Sequence, residues 1–304
     1  RLVRRWRWTT QEDPVKVERD FSYPKPGISA TWRPNETEQV RLSYVRDVAQ
    51  LDFGDFVSSV DLRTDFVTGG NAQLEPEQTW AASAEYERQF WGAGVFGLRA
   101  GYDQIEQVQD LVCIIPAGAA PDPTTPCVQR ADTFDAPGNI GDGTRWSLGT
   151  NITLPLARFG IKGGRFDFDY SYSQTAVTDP VTGLERRFSN SFEGYNFTAE
   201  FRQDLTDLQF SWGVEVQNGG DATAFRRRET FRRELEGTSV DLFVETTRFA
   251  GLNMRLGYNN ALDNEFQSIR VIYDGPRSTG SPSIIERGYS RNGPFTYLRI
   301  AGAF

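Results

Sequence analysis

Alternation with a period of two constrains this chain more than any other feature. Residues 165–173 read R-F-D-F-D-Y-S-Y-S. In an extended strand this sets Phe166, Phe168, Tyr170 and Tyr172 on one face and Arg165, Asp167, Asp169, Ser171 and Ser173 on the other. A helix would scatter both classes around its axis. The pattern recurs over 145–154 and 208–217, and again at 80–90, 96–103, 195–202, 240–245 and 252–258. The chain is therefore expected to be all-β.

Connections between these runs come in two lengths. Short ones fall near 33–37, 91–94, 157–164, 204–207 and 248–251, and long ones near 47–78, 113–142, 175–190, 218–223 and 274–293. Alternating short and long links predict an antiparallel up-and-down sheet of about twelve strands, the first near 2–8 and the last at 295–304. A ten-residue strand spans about 33 Å and, tilted near 45°, rises about 24 Å, close to the roughly 25 Å apolar band of an outer-membrane barrel.

The opposite face of the same strands carries Arg99, Arg145, Asp167, Asp169, Glu200, Arg202, Glu215 and Arg255. A dry sandwich core would bury those charges at several kcal/mol each. A wet lumen with the aromatic face against lipid avoids that penalty, and only closed barrels or helices satisfy the backbone in a bilayer. The seven lumen candidates for ligand contact are Arg99, Arg145, Asp167, Asp169, Glu200, Glu215 and Arg255. Charged lumen walls are ordinary in such barrels, so Asp167 and Asp169 are not read as an acid/base pair.

Several functions are excluded by composition. The 304 residues include no His, which removes Ser-His-Asp and Cys-His catalysis and imidazole metal sites. No enzymatic activity, metal site or cofactor is expected. With 41 acidic and 33 basic residues the net charge is -8, and an acidic surface disfavours nucleic acid. No apolar run reaches the about 18 residues of a membrane helix. The sequence starts at Arg1 without Met, and its RLVRRWRW opening holds no apolar signal core; this start is expected to be a cut in a longer protein.

Cys113 and Cys127, the only two cysteines, share one long connection and are expected to form a disulfide, given an oxidising cell surface. The AFRRRETFRREL run over 224–235 reads as a strand extending above the membrane and continuing into the next wall strand. Its arginines would pair with neighbouring acids or with lipopolysaccharide. Trp91, Phe159 and Phe249 lie at short turns, as an interfacial aromatic girdle would.

Four segments resemble TonB-dependent outer-membrane receptors. Residues 70–77, GNAQLEPE, resemble the GN-x-x-L-x-P-E segment of that family. Residues 258–266, YNNALDNEF, resemble its NNLFD-x-x-Y segment, with Ala261 and Phe266 departing from the pattern. Residues 23–34 and 48–56 are similar to receptors of the same family from alphaproteobacteria. The terminal FTYLRIAGAF, with Leu298, Ile300, Gly302 and Phe304 on one face, resembles the strand by which the barrel assembly machinery recognises outer-membrane proteins.

The resemblance implies that residues 1–304 form about the last twelve strands of a 22-stranded transmembrane barrel closed by a plug. The plug, its coupling box and roughly ten strands would lie outside this sequence. The expected function is energy-coupled import of a scarce ligand, such as a siderophore, cobalamin, carbohydrate or metal complex, across the bacterial outer membrane. Expected partners are that ligand, lipid and lipopolysaccharide, and the inner-membrane TonB complex acting through the plug; the C-terminus would face the periplasm. A passive twelve-stranded channel is the alternative, and a barrel phospholipase or protease the third reading.

Overall fold

A computed structural model describes residues 19–61, 66–115, 124–130, 133–235, 237–249 and 251–302. One antiparallel wall runs through it. Its strands are β1 (Gly27–Asn35), β2 (Glu38–Val48), β3 (Gln78–Phe90), β4 (Gly94–Glu106), β5 (Gly143–Pro155) and β6 (Gly164–Thr178). They continue as β7 (Phe192–Leu205), β8 (Phe210–Asn218), β9 (Thr238–Phe249), β10 (Leu252–Asn259) and β11 (Phe295–Ala301). Each strand pairs with its neighbours in sequence, so the wall is up-and-down throughout, as expected.

Register keeps the two classes of side chain apart. Leu42, Ala84, Ala100, Leu148, Tyr172 and Tyr195 are successive cross-strand partners on one face. One residue away, Arg41, Glu85, Arg99, Gly149, Ser171 and Asn196 form the matching row on the other. A slip of one residue in any pair would exchange the faces. The apolar face stays exposed, including Leu42, Leu98, Leu148, Leu242, Leu256 and Leu298. In water such a continuous band is a liability, whereas in hydrocarbon it is the required exterior.

Two aromatic belts bound that face. Near the long connections Tyr44 stacks on Trp80 at 5.3 Å and Tyr102 packs against Trp146 at 4.4 Å. At the short turns Trp91, Phe159 and Phe249 are exposed, as expected. Along β5 the nine residue-to-residue steps from Trp146 to Pro155 cover about 30 Å, or about 21 Å when tilted near 45°, which matches an apolar band of outer-membrane size.

The wall does not close on itself among the described residues. β1 pairs only with β2 and β11 only with β10, leaving both outer edges open. The strand expected near 2–8 and the terminal Phe304 lie outside the described residues. The sheet is thus a partial barrel wall of eleven strands here.

Above the long-connection end, the links fold into two small sheets. One joins Ser59–Asp61, Phe66–Thr68, Phe134–Asn139 and Gln109–Ile114. The other runs Asp221–Phe225, Glu229–Leu235, Glu265–Tyr273 and Pro282–Arg291, attached to the top of β7 at Phe192 and Glu193. Ile105, Val108, Val177 and Phe188, with Ile140 against them, form a buried apolar cluster that seats these links on β4 and β6.

The arginine run departs from expectation here. Glu229–Leu235 does not continue into β9 but belongs to the second outer sheet, and the link beginning after Asn218 reaches Thr238 rather than ending near 223. Gly237, at φ 84°, turns the chain between the two strands in a conformation open mainly to glycine.

Candidate ligand-binding face

The outer cap is held by a buried ion network that draws on four links. Asp179 is 1% exposed. Its carboxylate accepts from Arg186 Nε at 3.0 Å and Arg277 Nη2 at 2.7 Å, and from the backbone N–H of Val181 at 2.7 Å. Arg186 also donates to Asp110 at 2.8 Å. Phe225 packs against both cations, its ring 4.4 Å from the Arg186 guanidinium and 5.5 Å from that of Arg277. Burial works against the Asp179 charge, but the Val181 N–H and the two guanidinium groups outweigh it and hold the carboxyl below the usual range.

A second seam ties the cystine hairpin to the arginine run. Cys113 and Cys127 are bonded, with Cα atoms 6.0 Å apart. Just beyond Cys127, the carbonyls of Val128 and Arg130 accept from Arg227 Nη1 at 3.2 and 2.6 Å. The Arg227 backbone N–H donates to Asp135, and Arg277 Nε donates to the Arg226 carbonyl. Arg228 likewise reaches the carbonyls of Tyr273 and Asp274. These arginines therefore gather carbonyls at the seam, while Arg232 pairs with Asp221 and Glu234 as the sequence suggested. Burial pushes Asp135 and Glu229 up, the latter against Arg270 at 2.8 Å.

Protein isolated under oxidising conditions is expected to take up no alkylating reagent at Cys113 or Cys127 until a reductant is added. Closing a loop of about 15 residues contributes about 3 kcal/mol through loop-closure entropy. Intact mass after alkylation gives the result, and two labelled thiols without reductant would sink it.

The motif residues prove to be architectural. In 70–77, Leu74 is 1% exposed, Asn71 Nδ2 donates to the Pro137 carbonyl, and the Glu75 N–H donates to Asn139. A Cβ on Gly70 would stand 2.3 Å from the Phe56 carbonyl oxygen. In 258–266, Asn260 at φ 52° accepts from the Asn264 N–H and donates its own N–H to Asp241. Both segments clamp a link where it meets the wall.

All seven lumen candidates lie on the polar face, but no single site gathers them. Arg99 is exposed on β4 beside Glu85. Arg145 stands at the cap end of β5, 3.6 Å from Asp103. Asp167 accepts from Arg165 at 2.6 Å and Thr153 at 2.7 Å. Asp169 is exposed two residues away. Asp167, Glu200, Glu215 and Asp241 are successive register partners, a row of carboxylates across β6 to β9. Arg255 stacks 3.9 Å over Phe243.

One group went unnoticed in the alternation. Phe243 projects from the polar face of β9 between Arg255 and Arg202, and Arg202 bridges Asp204 at 2.9 Å and Glu245 at 3.1 Å. Beside it lies a polar recess of about 400 Å³, lined by Arg202, Ser211, Glu245 and Asn253. Only a phenylalanine at a polar position of 238–249 marked it.

No family model matches the chain, and no curated protein matches it in sequence. Solved structures match it in fold. The ferric enterobactin receptor PfeA of Pseudomonas aeruginosa gives a TM-score of 0.56 at 14% identity, over 90% of this chain and 40% of its own. The siderophore receptor PirA from Acinetobacter baumannii gives 0.52 at 11%, over 90% and 41%. The FrpB iron transporter from Neisseria meningitidis gives 0.54 at 12%, over 91% and 38%. The chain thus spans about 40% of the length of these proteins, and what it shares with them is the fold of a barrel wall.

Proposed function

We propose that residues 1–304 form part of the barrel of a TonB-dependent outer-membrane receptor that imports a scarce ligand by energy-coupled transport. The observation that carries this reading is the wall itself: an exposed apolar face between two aromatic belts, backed by a charged face and topped by folded links. The named structural neighbours are receptors or transporters of iron or siderophores by their own descriptions. They favour an iron chelate among the candidate ligands.

In this reading the apolar face lies in lipid and the cap stands among lipopolysaccharide. The ligand descends along the polar wall past Arg145, Arg99 and Arg255, with the acidic row of Asp167, Glu200 and Glu215 beneath the cap and Asp169 beside it. The inner-membrane TonB complex pulls through a plug, and the C-terminus faces the periplasm. Leu298 and Ile300, exposed on the outer face of β11, belong with Gly302 and Phe304 to the signal read by the assembly machinery.

Deleting the gene is expected to abolish uptake of one radiolabelled ferric chelate from a panel, and dissipating the proton-motive force in the intact strain should do the same. Uptake that survives the uncoupler, together with steady ohmic conductance of the purified full-length protein in planar bilayers, would replace the receptor with a passive channel.

A further inference from the structure

The short-turn end carries a feature that import does not use. Between Asp142 and Asp167 the chain contains no acidic residue, yet it holds Arg145, Arg158, Lys162 and Arg165. In a chain with 41 acids this is a long basic interval. It covers β5, the turn after it and the first residues of β6. Arg145 sits at the cap end with Asp103, and Arg165 is held by Asp167 at 2.6 Å. Arg158 and Lys162 remain, both exposed at the turn, and among the described residues neither has an ion-pair partner.

Arg158 is placed by aromatic rings. Its guanidinium lies 5.1 Å from the ring of Trp91, which projects from the neighbouring β3–β4 turn. Trp91 meets Phe90 edge-on at 5.0 Å and Phe159 at 6.1 Å. Trp91 itself holds φ 55°, and its indole is placed by these ring and guanidinium contacts. A guanidinium stacked on an indole still presents its N–H edge, which matches two phosphate oxygens at once. Indole and phenyl rings favour the level where acyl chains give way to headgroups.

We infer that Trp91, Arg158, Phe159 and Lys162 form a docking site for the phosphate of an anionic phospholipid in the leaflet on the short-turn side. The inference rests on the proposed membrane placement of the wall and adds a lipid class to it. Charge complementarity selects the occupant: two unpaired cations at headgroup level, in a turn without acids, favour a net-negative lipid over a zwitterionic one. The adjacent β7–β8 connection contributes two exposed acids: Asp207, and Asp204, whose carboxylate is held by Arg202 at 2.9 Å and Ser211 at 2.6 Å.

The test uses the full-length protein in vesicles of phosphatidylcholine with and without phosphatidylglycerol. Trp91 emission is isolated as the difference between the native protein and W91F, and either lipid is brominated on its acyl chains close to the headgroup. Phosphatidylglycerol is expected to quench this emission preferentially. R158Q and K162Q should each lower the preference about fivefold, D207N should raise it, and high salt should erase it. Equal quenching by both lipids, or a preference that survives in the R158Q/K162Q double variant, overturns the docking site while leaving the wall in the membrane. No quenching by either lipid overturns the membrane placement of this end and the inference with it.

Discussion

Asp179→Ala is expected to destabilise the outer cap by about 3 to 5 kcal/mol, because it leaves two buried guanidinium groups without their shared carboxylate. Arg186 and Arg277 are both 8% exposed in their side chains, so water cannot readily replace the lost partner. The wall should remain folded, since its pairing does not involve Asp179. Hydrogen exchange is expected to rise in 179–188 and 265–277 while the wall strands stay protected. Unchanged exchange in those links would show that the network does not hold the cap.

The same residue fixes the acid limit of the cap. The folded-state pKa of Asp179 is depressed, so its contribution is fully present above the ordinary carboxylate value of about 3.9 and is lost only as pH falls through the lower folded value. Asp135 and Glu229 have raised values and act in the opposite sense, adding stability as pH falls. The seam should therefore persist under mild acid.

Leu148→Arg, Phe168→Arg and Trp212→Arg are each expected to cost about 2 to 4 kcal/mol in the full-length protein in a bilayer, with the largest value nearest the midplane. All three lie on the apolar face by register, where Leu148 opposes Ala100 and Tyr172, and Trp212 opposes Val244. Asp167→Asn and Ser211→Ala, on the polar face, should cost less than about 1 kcal/mol, since each loses exposed polar contacts that water restores. Heat-modifiable gel migration across a urea series gives the ranking. Equal sensitivity of the two sets would mean that the faces are reversed.

The wall was legible because strand pairing turns a local pattern into a global one. Period-two alternation fixes which face a residue joins, and the short turns at 91–94 and 157–164 stand where the glycines and exposed rings put them. Alternation does not say which residues meet. Arg99 and Arg255 share a face by register, yet they stand on β4 and β10 with five strands between them. The cap was illegible for a related reason. Arg186 meets Asp110 across 76 positions and Arg277 meets Asp179 across 98, and no local spacing announces such pairs. The arginine run misled because its alternating strand character is real, while only residues 236–237 separate it from β9. Asn71 and Asn260, in the two most distinctive segments, bind backbone at the rim of the wall, which is why those segments identify an architecture and leave the ligand unnamed.

Strictly sequential pairing in the wall sets an order of assembly. The hairpins β1–β2, β3–β4, β5–β6, β7–β8 and β9–β10 each close through a short turn, at little loop-closure cost. The cap cannot grow that way. Its first sheet brings Thr68 beside Asp135, and its seam brings Arg226 to Thr68 across 158 positions, so its contacts close over far longer loops. The links around Cys113 and Cys127 are therefore expected to gather after the wall hairpins have closed, while the cystine, only 14 positions apart, can close within its own link. The cap is then expected to become rigid last, on a wall already formed beneath it.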